Sequence, residues 1–298
     1  MFAVFKREFK AYMSNVYGWL FMSVLLMFVG ISVFIHNLAL GLPNIEYALL
    51  WSDYTDYSWL NGELILLLLV PVLCMRSMAE DKRGKTDMFY LSLPMPTSSV
   101  VLGKYCALLT VFAIPCGVIC LYPLVFGLFG EVNFLSAYVT IFCYFLLGAA
   151  LIAVCQFLSS LTDNLVVAAV LGVVGCLLLY FVPVVGYILP ATALASFIGF
   201  IVLALLAAGI AFLVTRNLNV TAIVGAALII PLSVLYMIFG KQFAGLLPAV
   251  LEYIAPFSHV ESVGLYGLFD LRSLILLLSY PVLFVFLTVQ SADKKRWA

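Results

Sequence analysis

The sequence predicts an all-α polytopic membrane protein. The chain has 298 residues, of which 66% are hydrophobic and only 9% are charged, and its formal net charge is +0. Soluble domains carry about 25% charged residues, so this chain has too few charges to cover a water-facing surface and needs lipid as its solvent. Its apolar runs are continuous over about 20 residues, the length of a membrane-spanning helix, and do not alternate as in a transmembrane β-barrel.

Apolar runs of this length predict about eight transmembrane helices, within a range of six to eight. They lie at 17–38, 61–77, 100–127, 134–158, 165–186, 192–215, 219–239 and 273–290. The stretch 240–272 contains Pro248 and Pro256 together with Gly245, Gly264 and Gly267, which interrupt a long helix. It therefore predicts short helices at the outer membrane interface. The whole chain, 1–298, is interpreted as a single transmembrane domain.

The Lys and Arg residues predict the orientation of these spans, because cytosolic loops carry an excess of both. With the N-terminus inside, twelve of the 14 fall on the cytosolic side, and only Lys241 and Arg272 fall on the outer side. The reverse orientation would place twelve of them outside. Both termini are therefore predicted to be cytosolic.

Residues 1–16 predict a separate amphipathic helix on the cytosolic membrane surface. Bulky side chains recur at helical spacing on one narrow face, which consists of Phe2, Phe5, Phe9, Tyr12, Met13 and Val16. This apolar face would lie in the acyl boundary of the membrane. Lys6, Arg7, Glu8 and Lys10 occupy the remaining surface, where the basic residues would lie near anionic headgroups. Alternatively, these residues are only a positive flank that orients the first span.

The segment 76–107 contains the densest run of charge in the chain. Seven charges fall within twelve residues, at Arg76, Glu80, Asp81, Lys82, Arg83, Lys85 and Asp87. Apolar residues follow at 88–91, so the segment predicts a short amphipathic helix at the membrane surface. It presents a docking surface to a cytosolic partner, or it is a solvated loop that only fixes the topology. The residues alone favour neither interpretation.

Few polar residues lie within the predicted spans, and each has a structural interpretation. Lys104 lies near the cytosolic start of the third span, and we expect its side chain to extend to the interface. Gln156 is expected to hydrogen-bond a neighbouring helix or another subunit. Asp163 and Asn164 are expected to cap the fifth span. Glu63, at the outer start of the second span, is expected to be solvated.

No set of residues in the sequence indicates a catalytic centre, a bound cofactor or a metal site. His36 and His259 stand alone on the predicted outer side, and the seven cysteines lie in or beside apolar runs without a Cys-x-x-Cys pair. Gly84-Lys85-Thr86 looks like the end of a phosphate-binding loop, but Ala79 stands where that motif needs its first glycine. The sequence also offers no basic aromatic surface for nucleic acid.

Four groups of residues, distributed from end to end, resemble one family. They are Phe5-Lys-Arg-Glu-Phe-Lys-Ala-Tyr with Tyr17-Gly-Trp-Leu-Phe, Glu80-Asp-Lys-Arg-Gly-Lys-Thr-Asp with Leu91-Ser-Leu-Pro and Val101-Leu-Gly-Lys-Tyr, Gln156-Phe-Leu-Ser-Ser-Leu-Thr-Asp-Asn, and Leu287-Thr-Val-Gln with Lys294-Lys-Arg-Trp. In these four groups of residues the chain resembles the permease subunits of ABC-2-type (type V) ABC transporters, and more narrowly the gliding-motility-type permeases of bacteria. It departs from the family pattern at Lys85, where glycine is common.

The resemblance implies a permease of the bacterial cytoplasmic membrane, without an ATPase site of its own, that works in export. A separate cytosolic ABC ATPase subunit, which binds ATP and Mg²⁺, would dock on the coupling helix after the second span, at about 79–93 here. A second copy of this chain or a related permease would complete the transporter, with membrane lipids around it. Many such permeases also accompany a membrane protein with a large outer domain. The implied docking residues are Glu80, Asp81, Lys82, Arg83, Lys85, Thr86, Asp87, Met88, Phe89 and Leu91.

Two other functions are considered beside this one. The outer loop at 39–62 places Asp53 and Asp56 among Trp and Tyr residues. That composition is typical of an interfacial aromatic belt, but it would also suit a membrane-embedded enzyme that modifies lipids. A membrane scaffold without transport activity would have the same spans and no ATPase partner.

Overall fold

The computed structural model describes residues 1–39, 45–50, 61–86, 96–128, 130, 132–215, 218–260 and 271–297. Within these ranges every regular element is a helix and none is a strand, so the predicted all-α fold is confirmed. The chain forms two compact units. Unit 1 comprises Met1–Leu179 and Pro256–Ala298, and unit 2 comprises Tyr180–Ala255.

Twelve α-helices lie within the described ranges. They are α1 (Phe2–Ser14), α2 (Val16–Val33), α3 (Glu46–Leu49), α4 (Gly62–Arg83), α5 (Thr97–Ile119), α6 (Tyr122–Phe126), α7 (Phe134–Ser159), α8 (Leu165–Ile188), α9 (Ala193–Thr215), α10 (Leu218–Phe239), α11 (Leu246–Ile254) and α12 (Leu271–Trp297). A π-helical segment at Phe34–Ala39 continues α2, and a 3-10 turn at Gly240–Phe243 follows α10.

Six helices of the described ranges are long and apolar enough to cross a membrane. They are Val16–Ala39, Gly62–Arg83, Thr97–Phe126, Phe134–Ser159, Leu165–Ile188 and Leu271–Lys294. Helices α9 and α10 coincide with two further predicted spans, and their described apolar parts, Ala193–Leu205 and Gly225–Phe239, are shorter. The number of spans thus agrees with the predicted range of six to eight.

The segment 240–272, predicted to lie at the outer interface, contains the 3-10 turn and the nine-residue helix α11. Residues 261–270 lie outside the described residues. The position of this segment at the membrane surface stays a prediction.

Helix α7 forms the core of unit 1. In its most apolar stretch 78% of the residues are buried, and α4, α5 and α12 pack against it. Small residues such as Gly148, Ala150 and Ala153 let these neighbours approach closely, which is how helices usually associate within membranes. Ala153 forms one buried cluster with Val101 of α5 and Val285 of α12.

Helix α1 lies against the start of α5. Val4 packs over Gly103, where a side chain would crowd it. The helix is formed as predicted, but the expectation that Tyr12 faces lipid was wrong, because Tyr12 is buried within unit 1. Phe2, by contrast, is 76% exposed. Its ring begins a row with Phe5 and Phe9, whose successive centroids are 6.1 and 6.0 Å apart.

Unit 2 contains the end of α8 together with α9, α10 and α11. Helices α9 and α10 pack against each other, and the ring of Phe197 stacks on that of Tyr236 with centroids 4.3 Å apart. Leu247 of α11 fills the space above Gly199, and its backbone N–H donates to Ser196 Oγ at 3.4 Å. These contacts give unit 2 an apolar core of its own.

We expect Gly148→Ala to lower the stability of unit 1. A Cβ at this position would overlap the ring of Phe112, which is fully buried and stacked on Phe145 with little room to move. Overpacking of this kind costs about 1–3 kcal/mol, which exceeds the gain of about 1 kcal/mol from replacing a helical glycine. Thermal unfolding of the purified protein in lipid nanodiscs should show a lower midpoint.

Gly117→Ala is the matched control for this substitution. Nothing lies within 4 Å of a Cβ at Gly117, so the midpoint should be unchanged or slightly raised. Equal midpoints for the two variants would contradict the tight contact between α5 and α7.

Candidate functional site

The charged segment after the second span begins as a continuation of that span. Helix α4 runs without interruption from Gly62 to Arg83, so 76–83 are its last two turns and not a separate surface helix. A turn at 84–86 then ends the helix. There the backbone N–H of Thr86 donates to the carbonyl of Asp81 at 2.9 Å, and its hydroxyl donates to Asp81 Oδ1 at 3.0 Å.

Lys85 occupies the one left-handed position among the non-glycine residues of the described ranges, with φ = 54°. This conformation favours glycine, because a Cβ brings about 1–2 kcal/mol of steric cost. Glycine is common at this position in the family that the sequence resembles. A glycine there would adopt the left-handed conformation without the steric cost that Lys85 incurs. The turn that ends α4 keeps its shape despite this cost.

A buried ammonium group connects the start of the chain to this turn. Lys104 Nζ lies 2.7 Å from Asp81 Oδ2 and 3.1 Å from Glu8 Oε1, and it donates to the Ser77 carbonyl at 2.8 Å. The lysine is only 3% exposed. The expectation that it reaches the membrane interface was wrong, because two carboxylates compensate its charge inside the protein. We call Glu8, Ser77, Asp81 and Lys104 the ion-pair hub, which ties together α1, α4 and α5.

The connection between α7 and α8 holds the same end of α4. Ser159 Oγ accepts from the backbone N–H of Ala79 at 3.2 Å, and the ammonium of Lys82 donates to the carbonyl of Ser160. Ser160 Oγ is in turn 3.3 Å from Ser291 Oγ in α12. The ends of α4, α7 and α12 therefore meet at one end of unit 1, which agrees with the prediction that both termini share one side of the membrane.

Two expectations about polar residues in this part of the chain are confirmed. Gln156 donates from Nε2 to the carbonyl of Val101 in α5 at 3.2 Å, so it bonds a neighbouring helix. Asn164 caps α8, since its Oδ1 accepts from the backbone N–H of Val166 at 2.9 Å. Asp163, the other expected cap, lines a shallow pocket with Asn164 and Arg83.

The described residues of the docking segment differ in exposure. The exposed ones are Glu80, Arg83, Lys85 and Thr86. Asp81 and Lys82 are half-buried and bonded within the chain. Four further predicted docking residues, Asp87, Met88, Phe89 and Leu91, lie outside the described residues. A role of the whole segment in docking stays a prediction, and Asp81 in particular is engaged by the hub.

Sequence reasoning missed Glu8, Ser77 and Ser159 as members of this site. Glu8 had a visible signal, since it is the single acidic residue among the basic residues of 1–16. Ser159 lies in a stretch that carries the family resemblance. Ser77 acts through its backbone carbonyl, which no side-chain pattern can reveal.

At the opposite end of α4 the expectation for Glu63 was wrong. The residue is 1% exposed, not solvated, because α3 and α7 pack against this end of the helix. His36 is also fully buried, and its Nδ1 lies 2.9 Å from the carbonyl of Ser32. His259 Nδ1 is 3.2 Å from Ser273 Oγ. Within the described ranges no group of three or more His, Cys, Asp or Glu residues is arranged to hold a metal ion.

We expect Lys104→Met to destabilise the protein by roughly 3 kcal/mol, because it leaves the largely buried carboxylate of Asp81 without this counter-charge and leaves Glu8 with Arg7 alone. Lys10→Met removes an exposed charge from α1 and should change stability by less than about 0.5 kcal/mol. The free energy of unfolding in mixed micelles measures both.

A triple variant distinguishes loss of charge balance from loss of packing. Adding Glu8→Gln and Asp81→Asn to Lys104→Met removes all three charges, and we expect it to recover much of the lost stability. A triple variant no more stable than Lys104→Met alone would show that the hub is not held by charge balance.

Replacements at Lys85 should separate backbone conformation from charge. Lys85→Gly is expected to stabilise the turn by about 1 kcal/mol, Lys85→Asn to be close to neutral, and Lys85→Val to destabilise it, since only glycine and asparagine adopt this conformation readily. All three remove the same charge. Equal unfolding free energies across the set would exclude a strained turn.

Comparison with known proteins relates this region to one family of transporters. Residues 52–196 match the family model described as ABC-2 family transporter protein, and searches of curated proteins and of solved structures returned no match. The matched range contains α4, Lys104 and the connection between α7 and α8, while the resembling stretches at 5–21 and 287–297 lie outside it. Just under half of the chain thus carries an ABC-2 family transporter domain, which supports an ABC-2 type permease, the membrane subunit of an ABC transporter.

Proposed function

We propose that this chain is the transmembrane subunit of an ATP-driven ABC exporter and that a separate cytosolic ATPase subunit docks on the end of α4. One observation carries the proposal: a membrane span of the family-matched range continues as one helix into a charged end. Exposed charges there, at Glu80, Arg83 and Lys85, offer a soluble partner polar contacts that set register and association rate.

The structure suggests how a movement of the ATPase would reach the membrane. A helix transmits displacement along its axis, and α4 joins the docking end to the middle of the bundle without a break. The ion-pair hub and Ser159 attach α1, α5 and α7 to the same two turns. A push on the end of α4 would therefore displace several helices of unit 1 together.

The remaining parts of the transporter belong to this proposal. ATP and Mg²⁺ would be bound by the ATPase subunit, and a second copy of the chain or a related permease would supply the facing helices that alternating access needs. We assign the complex to the bacterial cytoplasmic membrane and to the gliding-motility-type subfamily. A membrane protein with a large outer domain is a further candidate partner.

The two alternatives make different predictions about partners. Asp53 and Asp56, the residues behind the enzyme hypothesis, lie outside the described residues, and no described contact favours that hypothesis. A scaffold would purify without any ATPase. Identification by mass spectrometry of the proteins that accompany the tagged chain from its native membrane distinguishes the proposal from both alternatives.

The docking surface itself is tested by charge reversal at its exposed residues. Arg83→Glu combined with Lys85→Glu should reduce the amount of co-purified ATPase by about tenfold, a loss of roughly 1.4 kcal/mol, and should reduce permease-stimulated ATP hydrolysis with it. Asp81 is left unchanged, because its reversal would disrupt the hub and confuse docking with folding.

Glu252→Lys is the control, since Glu252 is exposed on α11 in unit 2, on the predicted outer side. It should leave ATPase recovery unchanged. Full recovery of the ATPase with the double variant, at an unchanged unfolding midpoint, would contradict docking at the end of α4.

A further inference from the structure

Unit 1 contains a small polar cavity beside the ion-pair hub. It lies between α1, the start of α2 and the end of α4, and its polar walls include Glu8, Asn15 and Glu80. Tyr12, Tyr17 and Arg76 complete it. The cavity is open to the surface and is located at the same end of the unit as the docking segment.

A second, apolar cavity adjoins the first and shares three residues with it. Leu20 of α2 with Leu69 and Val72 of α4 form part of its apolar wall, and Tyr12, Tyr17 and Arg76 belong to both cavities. The two together form one groove, polar toward the charged end of α4 and apolar along α2 and α4, which we call the α2–α4 groove. Such a division of polarity fits an amphipathic molecule whose head and tail lie in different environments.

Arg76 stands where the two halves of the groove meet. Its guanidinium lies 4.1 Å from the centroid of the Tyr17 ring, and one of its nitrogens is 2.7 Å from Glu80 Oε1. A guanidinium has five N–H donors, so this ion pair and the ring contact leave donors for an anionic ligand. Its side chain is 21% exposed. Most of the side chain is therefore packed against the protein, and the remainder is accessible to a ligand.

We propose that the α2–α4 groove binds a phospholipid with a primary ammonium in its headgroup, of the phosphatidylethanolamine type. The lipid phosphate accepts hydrogen bonds from Arg76, and its ammonium donates to Glu80. One acyl chain lies along Leu20 and Val72. The positive charge of Arg76 thus faces the lipid phosphate, and the negative charge of Glu80 faces the lipid ammonium. Each charge has a partner of opposite sign.

The charges of the groove exclude the other common headgroups. A net anionic lipid would gain from Arg76 but would lie beside the carboxylates of Glu8 and Glu80, and like charges at close range are unfavourable. The quaternary ammonium of a choline lipid has no N–H to donate to Glu80. Only a headgroup with one phosphate and one primary ammonium satisfies both side chains.

The position of the groove suits a lipid drawn directly from the bilayer. Burial raises the pKa of Tyr12 well above its ordinary value, so its hydroxyl stays neutral at the boundary between the polar and apolar halves. Part of the apolar wall of the groove lies at the protein surface, since Leu20 is 50% and Val72 is 40% exposed. Lipid binding in this groove requires neither the ATPase partner nor a transported substrate.

The test uses the full chain in nanodiscs of mixed phosphatidylethanolamine and phosphatidylglycerol. A trace of phosphatidylethanolamine with a photoreactive diazirine on its acyl chain is crosslinked, and the labelled peptides are identified by mass spectrometry. We expect labelling in α2 and α4 at 20–21 and 69–73. Added phosphatidylethanolamine should compete about tenfold better than phosphatidylglycerol or phosphatidylcholine, a difference of roughly 1.4 kcal/mol.

Two matched variants make the result specific. Val72→Trp fills the apolar half and should reduce labelling by about tenfold, whereas Leu278→Trp, at an exposed position of α12 outside the groove, should leave it unchanged. Glu80→Gln should weaken the preference for phosphatidylethanolamine over phosphatidylglycerol, because it removes a carboxylate that pairs with the lipid ammonium and repels an anionic headgroup. Equal competition by the three lipids, or labelling of Val72→Trp at the wild-type level, would overturn the proposal.

Discussion

The arrangement of unit 1 depends on a single compensated charge. Moving an ammonium from water into a protein interior costs several kcal/mol, and only close counter-charges and hydrogen bonds repay it. Lys104 has two carboxylates and a carbonyl within 3.1 Å, so its burial is tolerated only while α1, α4 and α5 keep their present positions. The interaction is therefore less a source of stability than a constraint on geometry, because each of the three helices needs the other two.

The other helices of the bundle are held together by packing, and no hydrophobic driving force acts between them. Lipid tails are as apolar as leucine, so helices in a membrane associate through close van der Waals contact and hydrogen bonds. Helix α7 supplies both. Gly148, Ala150 and Ala153 bring its backbone near its neighbours, and at its end Gln156 and Ser159 bond the backbones of α5 and α4. The small residues set the distances between helices, and the polar ones fix their register.

Sequence patterns correctly predicted the structural features that depend on nearby residues. They did not predict the features that depend on partners far along the chain. Apolar runs gave the spans to within a few residues, and Asn164 was found as a cap because its partner lies two residues away. The burial of Lys104 and Glu63 was not predicted, because it depends on side chains and helices far along the chain, such as Glu8, 96 residues from Lys104. The continuity of α4 into the charged segment was also missed, since charge density was interpreted as a separate surface helix. Docking at 87–91 stays a prediction, because those residues lie outside the described ranges.

Two consecutive turns of α4 present three different sets of side chains, and helical geometry explains how. Residues four apart lie on one face, and a shift of one position rotates that face by about 100°. Arg76 and Glu80 therefore face the α2–α4 groove, while Ser77 and Asp81 face Lys104. Arg83 and Lys85 follow at the exposed end. Glu8 belongs to both the groove and the hub, so a lipid seated in the groove contacts the same rigid assembly that holds the docking end. A headgroup that orders Arg76 and Glu80 would therefore restrict the helix on which we propose the ATPase acts, and lipid composition would influence coupling without any contact between lipid and ATPase.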